Sequence, residues 1–216
     1  MSISRTYNSS VRDRDAAETR ERIITAAGRL FARDGYFATP MRAIAAEAGV
    51  SVQSVHLAGP KSSLLLAAWE HAFAGDEGAH SLLERPAMAQ ILAEPDSTVA
   101  LTRFVAFVVE ANARGAGIWR AMRTAADADP QVRAAASAQD ARRRADLALG
   151  AGWFASRGLV DPSNQNIAAD VLGFLTAEES FLYFVEDSGW PLERYQEWLL
   201  QSIQLLILDG QPTRMS

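Results

Sequence analysis

Apolar positions recur at helical spacing along nearly the whole chain. Ile23, Ile24, Ala27, Leu30 and Phe31 fall at i, i+1, i+4, i+7 and i+8, which is one face of a 3.6-residue repeat. Asp15 followed by Glu18 has the form of a capping box at the start of this helix, and Gly35 supplies a left-handed stop. Thr39-Pro40 opens a second helix, with Thr39 as its cap and Pro40 at the first position, where a missing N–H is harmless. Pro95-Asp96-Ser97 opens a helix over about 97–114 that Gly115 and Gly117 end, and Asp129-Pro130 opens a long one that runs to Gly158. Asp161-Pro162 begins another that reaches about Asp187. Gly189-Trp190-Pro191 sets off a last helix over about 191–208, closed by Gly210. The run from Phe104 to Val109 is as apolar as a buried strand, but its helical flanks and lack of a pairing partner favour helix. No alternating runs joined by an Asn-Gly or Asp-Gly turn occur, and there are no internal repeats. The pattern predicts an all-α protein of about nine helices, with roughly the first twelve residues too polar and aperiodic to order.

Composition narrows the chemistry. The 216 residues include no cysteine, which excludes disulfides, thiolate zinc sites, iron–sulfur clusters and a cysteine nucleophile, and fits a reducing, cytoplasmic setting. No run of about eighteen apolar residues is present, and the polar start has no apolar signal core, so neither a membrane span nor secretion is expected. The formal charge of −5 conceals an asymmetry. Residues 1–61 hold eight arginines and Lys61 against six acids, whereas residues 62–216 hold twelve arginines against twenty acids. A mildly basic head on an acidic body hints at a polyanion partner for the head alone.

The stretch Met41 to Ala58, MRAIAAEAGVSVQSVHLA, has the requirements of a helix-turn-helix. Two short helices that cross steeply need a small residue at the crossing and a turn residue that tolerates positive φ. Ala45 and Gly49, four residues apart, meet those demands. Ile44, Ala48 and Val50 supply apolar contacts around the turn, Ser51 caps the second helix, and Val55 points its inner face to the core.

Residues 23–69, IITAAGRLFARDGYFATPMRAIAAEAGVS and on through LLLAAW, resemble the N-terminal domain of the TetR family of bacterial transcriptional regulators. The resemblance rests on Leu30-Phe31, Gly35-Tyr36, Ala38-Thr39, Ile44-Ala45 and Ala48-Gly49-Val50-Ser51. It implies a three-helix DNA-binding domain over 15–61, preceded by a flexible arm over 1–14, and followed by a larger effector-binding and dimerisation domain over 62–216. Two departures stand out: His56 replaces the family's usual Tyr in the recognition helix, and Gly59 its usual aromatic.

The resemblance places the helix from Ser51 to Leu57 in the major groove. Gln53 is the foremost base reader, since its amide both donates and accepts toward adenine. Ser54 makes less selective contacts, and Val52 and Leu57 are candidates for thymine methyl groups. Phosphate anchors are expected from Thr39, Arg42, His56 and Lys61. Arg5, Arg12 and Arg14 belong to the arm and carry no firm assignment.

For the body, the resemblance implies a two-fold homodimer on a near-palindromic operator. The candidate interface is about 165–186 and 191–208. Val171, Phe174, Leu175, Glu178, Phe181, Leu182 and Val185 repeat at helical spacing there, as do Tyr195, Trp198, Leu199, Ser202, Leu205 and Leu206. Phe104, Phe107, Val108, Trp119, Met122, Trp153, Phe154 and Phe174 are candidate walls of a pocket for a small apolar effector. The resemblance implies that this effector alters the spacing of the two heads and releases DNA. Arg142-Arg143-Arg144 is expected to be a solvated helix face.

Nothing points to an enzyme, a metal or a cofactor. Glu77-x-x-His80 has di-iron spacing without the second pair such sites need, and His71 and His80 make no metal pair. No nucleophile elbow, dinucleotide fingerprint or Walker loop occurs. Two alternatives stay open: a TetR-like helical dimer that has lost operator binding and acts as an interaction or ligand-binding protein, and a DNA-bound regulator that senses no small molecule.

Overall fold

The computed structural model describes residues 3–78 and 81–208, with side chains from Arg14 onward. It is all-α: ten α-helices and no strand among the described residues. They are α1 (Ile3–Asp34), α2 (Met41–Ala48), α3 (Val52–Ala58), α4 (Lys61–Ala74), α5 (Pro86–Ala93), α6 (Ser97–Ala126), α7 (Pro130–Ser156), α8 (Gln165–Leu175), α9 (Glu178–Phe181) and α10 (Leu192–Ile203). No helix among the described residues is long and apolar enough to cross a membrane.

The chain divides into two compact units. One comprises the described residues up to Glu77 together with Gly117–Ala136; the other comprises Gly78–Ala116 and the described residues from Ser137 onward. In the first unit α1 packs on α2, α3 and α4. Ile23, Ile24, Ala27, Leu30 and Phe31 are buried, as their periodicity requires, with Ile44, Ala45, Val55, Leu64 and Leu65 against them. In the second unit the core runs through Leu101, Val105, Val108, Phe154, Leu172, Phe181, Tyr195, Leu199 and Ile203. The Phe104–Val109 run is helical, as its flanks indicated.

Several boundaries differ from expectation. Helix α1 begins at Ile3 rather than at Asp15, because no proline or glycine interrupts residues 3–15; the side chains of Arg5 and Arg12 lie outside those described. Thr39 does not cap α2. Pro40 holds that position without a side-chain cap, and its carbonyl accepts from the amides of Ala43 and Ile44. Gly115 and Gly117 do not end α6, which continues to Ala126. At Gly117 the absence of a side chain serves packing, since a Cβ there would lie 3.1 Å from the Cβ of Ala32.

The long helix expected from Asp161 to Asp187 is broken at Thr176 and Ala177. Side chains replace the helical partners at Gly173 and Phe174 and add to the Thr176 amide at Leu172. The Thr176 hydroxyl donates to the Leu172 carbonyl at 2.8 Å, Ser180 to that of Phe174 at 2.7 Å, and Arg143 to that of Gly173 at 2.9 Å. Arg143 also donates to the Thr176 hydroxyl at 3.0 Å, so it braces this break instead of lying on a solvated face. The last turns of the chain's two final helical stretches, Leu182–Asp187 and Gln204–Leu208, are π-helical. Gly210 lies outside the described residues.

Candidate nucleic-acid interface

Local chemistry builds the helix-turn-helix. Helix α2 ends at Gly49, whose φ of 65° is left-handed, and the Val50 amide donates back to the Ala45 carbonyl at 3.0 Å. Ser51 then caps α3, its hydroxyl accepting from the Ser54 amide at 3.0 Å. Val55 is the one fully buried residue of α3. Val52, Gln53, His56 and Leu57 are exposed, Leu57 by 82%. The expected reading face of α3 thus points outward, apart from Ser54. That side chain is half-buried, its hydroxyl 2.9 Å from that of Ser51.

The expected phosphate anchors divide. Arg42 is exposed on α2 and His56 on the last turn of α3. Thr39 is buried, and its hydroxyl donates to the carbonyls of Gly35 at 2.8 Å and Leu30 at 3.4 Å; it holds the α1–α2 turn and does not face solvent. The Lys61 ammonium lies 4.3 Å from the centroid of the Tyr36 ring instead of extending outward. Tyr36 in turn donates to Asp129 at 2.9 Å. Burial, reinforced by Asp129, pushes the Tyr36 hydroxyl up to about 12. Burial also lowers Lys61 against the opposing pull of Asp129. The hydroxyl of Tyr36 holds the Asp129 carboxyl below its ordinary value, with help from the Val132 and Gln131 amides that it caps.

One residue that positions α3 carries no signal in the sequence. Arg20 makes a two-pronged pair with Glu77 at 2.6 and 2.7 Å and donates to the Ala58 carbonyl at 2.6 Å, tying the end of α3 to α1. A lone arginine on a helix carries no sequence signal for a partner 57 residues away. Glu77 is thereby committed to a cation, and His80 lies outside the described residues. No group of three or more metal-ligating side chains is found among the described residues. Gly59 adopts φ 134° and ψ 177°, a conformation open essentially to glycine alone. An aromatic side chain at this position would not adopt that backbone without strain.

The expected effector pocket is dispersed. Phe104, Trp153 and Phe154 line a cavity of about 40 Å³ in the second unit, with Met88, Ile91 and Leu101. Phe107 and Val108 pack in the same core without lining it. Trp119 and Met122 are buried in the first unit. Phe174 is 73% exposed and does not line the cavity, because the buried face of α8 is that of Ala168, Leu172 and Leu175 and Phe174 lies off that face.

Residues 23–58 match the family model for bacterial regulatory proteins of the tetR family. A search of curated proteins gives no match. Among solved structures, the chain is similar to a protein described as a transcriptional regulator from Saccharomonospora viridis in complex with choline, at TM-score 0.66 and 21% identity over 89% of this chain and 98% of that one. It is similar to one described as a TetR-family transcriptional regulator from Rhodococcus sp., at TM-score 0.69 and 18% identity over 88% and 99%. A third, described as a TetR-family regulator from Mesorhizobium loti, matches at TM-score 0.65 and 21% identity over 88% and 95%. Over residues 23–58 the chain is thus similar to the bacterial regulatory proteins of the tetR family, and the fold of the chain is that of solved structures described as TetR-family transcriptional regulators.

Proposed function

We propose that this protein is a sequence-specific DNA-binding transcriptional regulator that acts as a homodimer on a near-palindromic operator and represses by occupying it. The observation that carries this reading is the outward face of α3: a capped helix held by one buried valine, with Val52, Gln53, His56 and Leu57 exposed together. Arg42 and His56 anchor phosphates beside it, and Lys61 contributes positive charge from its place over Tyr36.

Dimerisation is supported by the second unit. Ile167, Phe174, Leu205 and Leu206 are all more than half exposed, and α8 packs against both α10 and the segment Gln204–Leu208. A monomer rarely leaves so many large apolar side chains on adjoining elements in water. Leu175, Phe181, Tyr195 and Leu199, expected on the same face, are instead buried within their own subunit.

Release by a small effector completes the reading. The 40 Å³ cavity is apolar, yet well below the few hundred cubic ångströms of a ligand pocket, so binding requires the second unit to open around it. Selection of bound fragments from a random duplex library tests the whole reading. A palindromic motif supports it, whereas a folded dimer that retains no DNA at low salt supports a ligand-binding or interaction protein. Thermal shift against apolar compounds and choline tests the effector; no shift with any of them favours a regulator that senses no small molecule.

A further inference from the structure

The side chains that α3 exposes differ in what they offer to a base edge, and that difference bears on the operator. Guanine presents two acceptors to the major groove, which a side chain with two donors, arginine or lysine, satisfies best. Residues 51–60 contain neither. Ser54 is half-buried and engaged with Ser51, and Val55 is buried, so four side chains remain: Val52, Gln53, His56 and Leu57. The Gln53 amide carries an NH2 donor group beside a carbonyl acceptor, the complement of adenine N7 and N6. His56 has a single ring donor at a time to offer N7, which both purines share. Val52 and Leu57 have no polar atoms to offer, and the one apolar feature of the major groove is the thymine methyl group.

Spacing brings these functions side by side. Gln53 and Leu57 are four residues apart and share a ridge of α3, as do Val52 and His56. Leu57 is 82% exposed, so its side chain supports no packing within the head. We propose that each operator half-site is read through A·T pairs, with Leu57 packed on a thymine methyl and Gln53 paired with a neighbouring adenine. This rests on the DNA-binding reading above and adds the base class of the site and the residue that sets it.

Replacing thymine by deoxyuridine removes only the methyl group. The test takes the motif selected from a random library, substitutes each thymine in turn, and titrates the full-length protein and its Leu57→Ala variant by fluorescence anisotropy. Circular dichroism confirms that the variant keeps its helix. The expected result is an A·T core in each half-site and one position at which deoxyuridine weakens the parent protein about three- to fivefold. Leu57→Ala should bind the two forms equally. A core of G·C pairs, or equal responses of both proteins to deoxyuridine, overturns the inference while leaving the regulator reading in place. Failure to select any DNA overturns both.

Discussion

The two units leave apolar side chains in water in different ways. The head exposes Val52 and Leu57 singly on α3, among Ser51, Gln53 and His56. The body exposes Ile167, Phe174, Leu205 and Leu206 on elements that pack together. Isolated apolar groups set among polar ones suit a surface that alternates methyl groups with hydrogen-bonding atoms, as a major groove does. A continuous apolar area suits another protein surface. Buried polar groups do not separate the units in the same way. In the first unit Tyr36 pairs with Asp129 and Thr39 with two carbonyls, while the indole N–H groups of Trp69 and Trp119 have no hydrogen-bond partner among the described residues. The body buries Glu178, and there the hydroxyl of Tyr195 and the side-chain oxygen of Asn112 have no hydrogen-bond partner among the described residues.

The largest expected effect tests the packing of the body. Leu199 is fully buried, and Leu199→Ala should lower unfolding free energy by about 2–5 kcal/mol, read from the urea midpoint. An effect under about 1 kcal/mol would mean that this core is loosely packed. In the head the corresponding constraint is conformational. Gly59→Ala meets nothing closer than the Ser63 Cβ at 3.8 Å, so its cost, about 1–3 kcal/mol, would come from the backbone alone. A neutral result would show that Gly59 is not held at positive φ in solution.

Titration separates the units by sign. Asp129 has a depressed folded pKa, so its contribution is complete above the ordinary carboxylate value and is lost as pH falls through the folded value. Burial raises Glu178, although Arg143 pulls it down, so ionisation of Glu178 opposes folding and acidification toward the carboxylate range relieves it. Urea midpoints between about pH 3 and 7 should therefore lose part of their acid decline in Asp129→Asn and rise near neutrality in Glu178→Gln. Shifts of the same sign in both variants would remove the contrast. The smallest effect belongs to Leu57→Ala, which should change stability by no more than about 0.5 kcal/mol because the side chain is exposed.

Much of the head was legible in the sequence because its determinants are local. The buried stripe of α1, the left-handed turn at Gly49, the Ser51 cap and inward-facing Val55 each depend on neighbours within a few residues. Predicted readers Val52, Gln53, His56 and Leu57 face outward for the same reason. The body was less legible. Periodicity placed Phe174 and Leu175 together on one helix, yet one is 73% exposed and the other buried, because the core takes only the face of α8 that carries Ala168, Leu172 and Leu175.

Spacing and residue type alone determined that this chain is helical, where its head turns, and which face of α3 points outward, since helix caps and apolar stripes act over one or two turns. Tertiary structure decided the rest: that Thr39 faces inward, that Lys61 rests on Tyr36, that Arg20 holds the end of α3, and that Gly117 continues a helix. Thr39 turns to the nearby carbonyls of Gly35 and Leu30, whereas the outcomes at Lys61, Arg20 and Gly117 depend on groups farther apart along the chain. A hydrogen bond or a close approach between such groups exists only once folding has brought them within a few ångströms of one another.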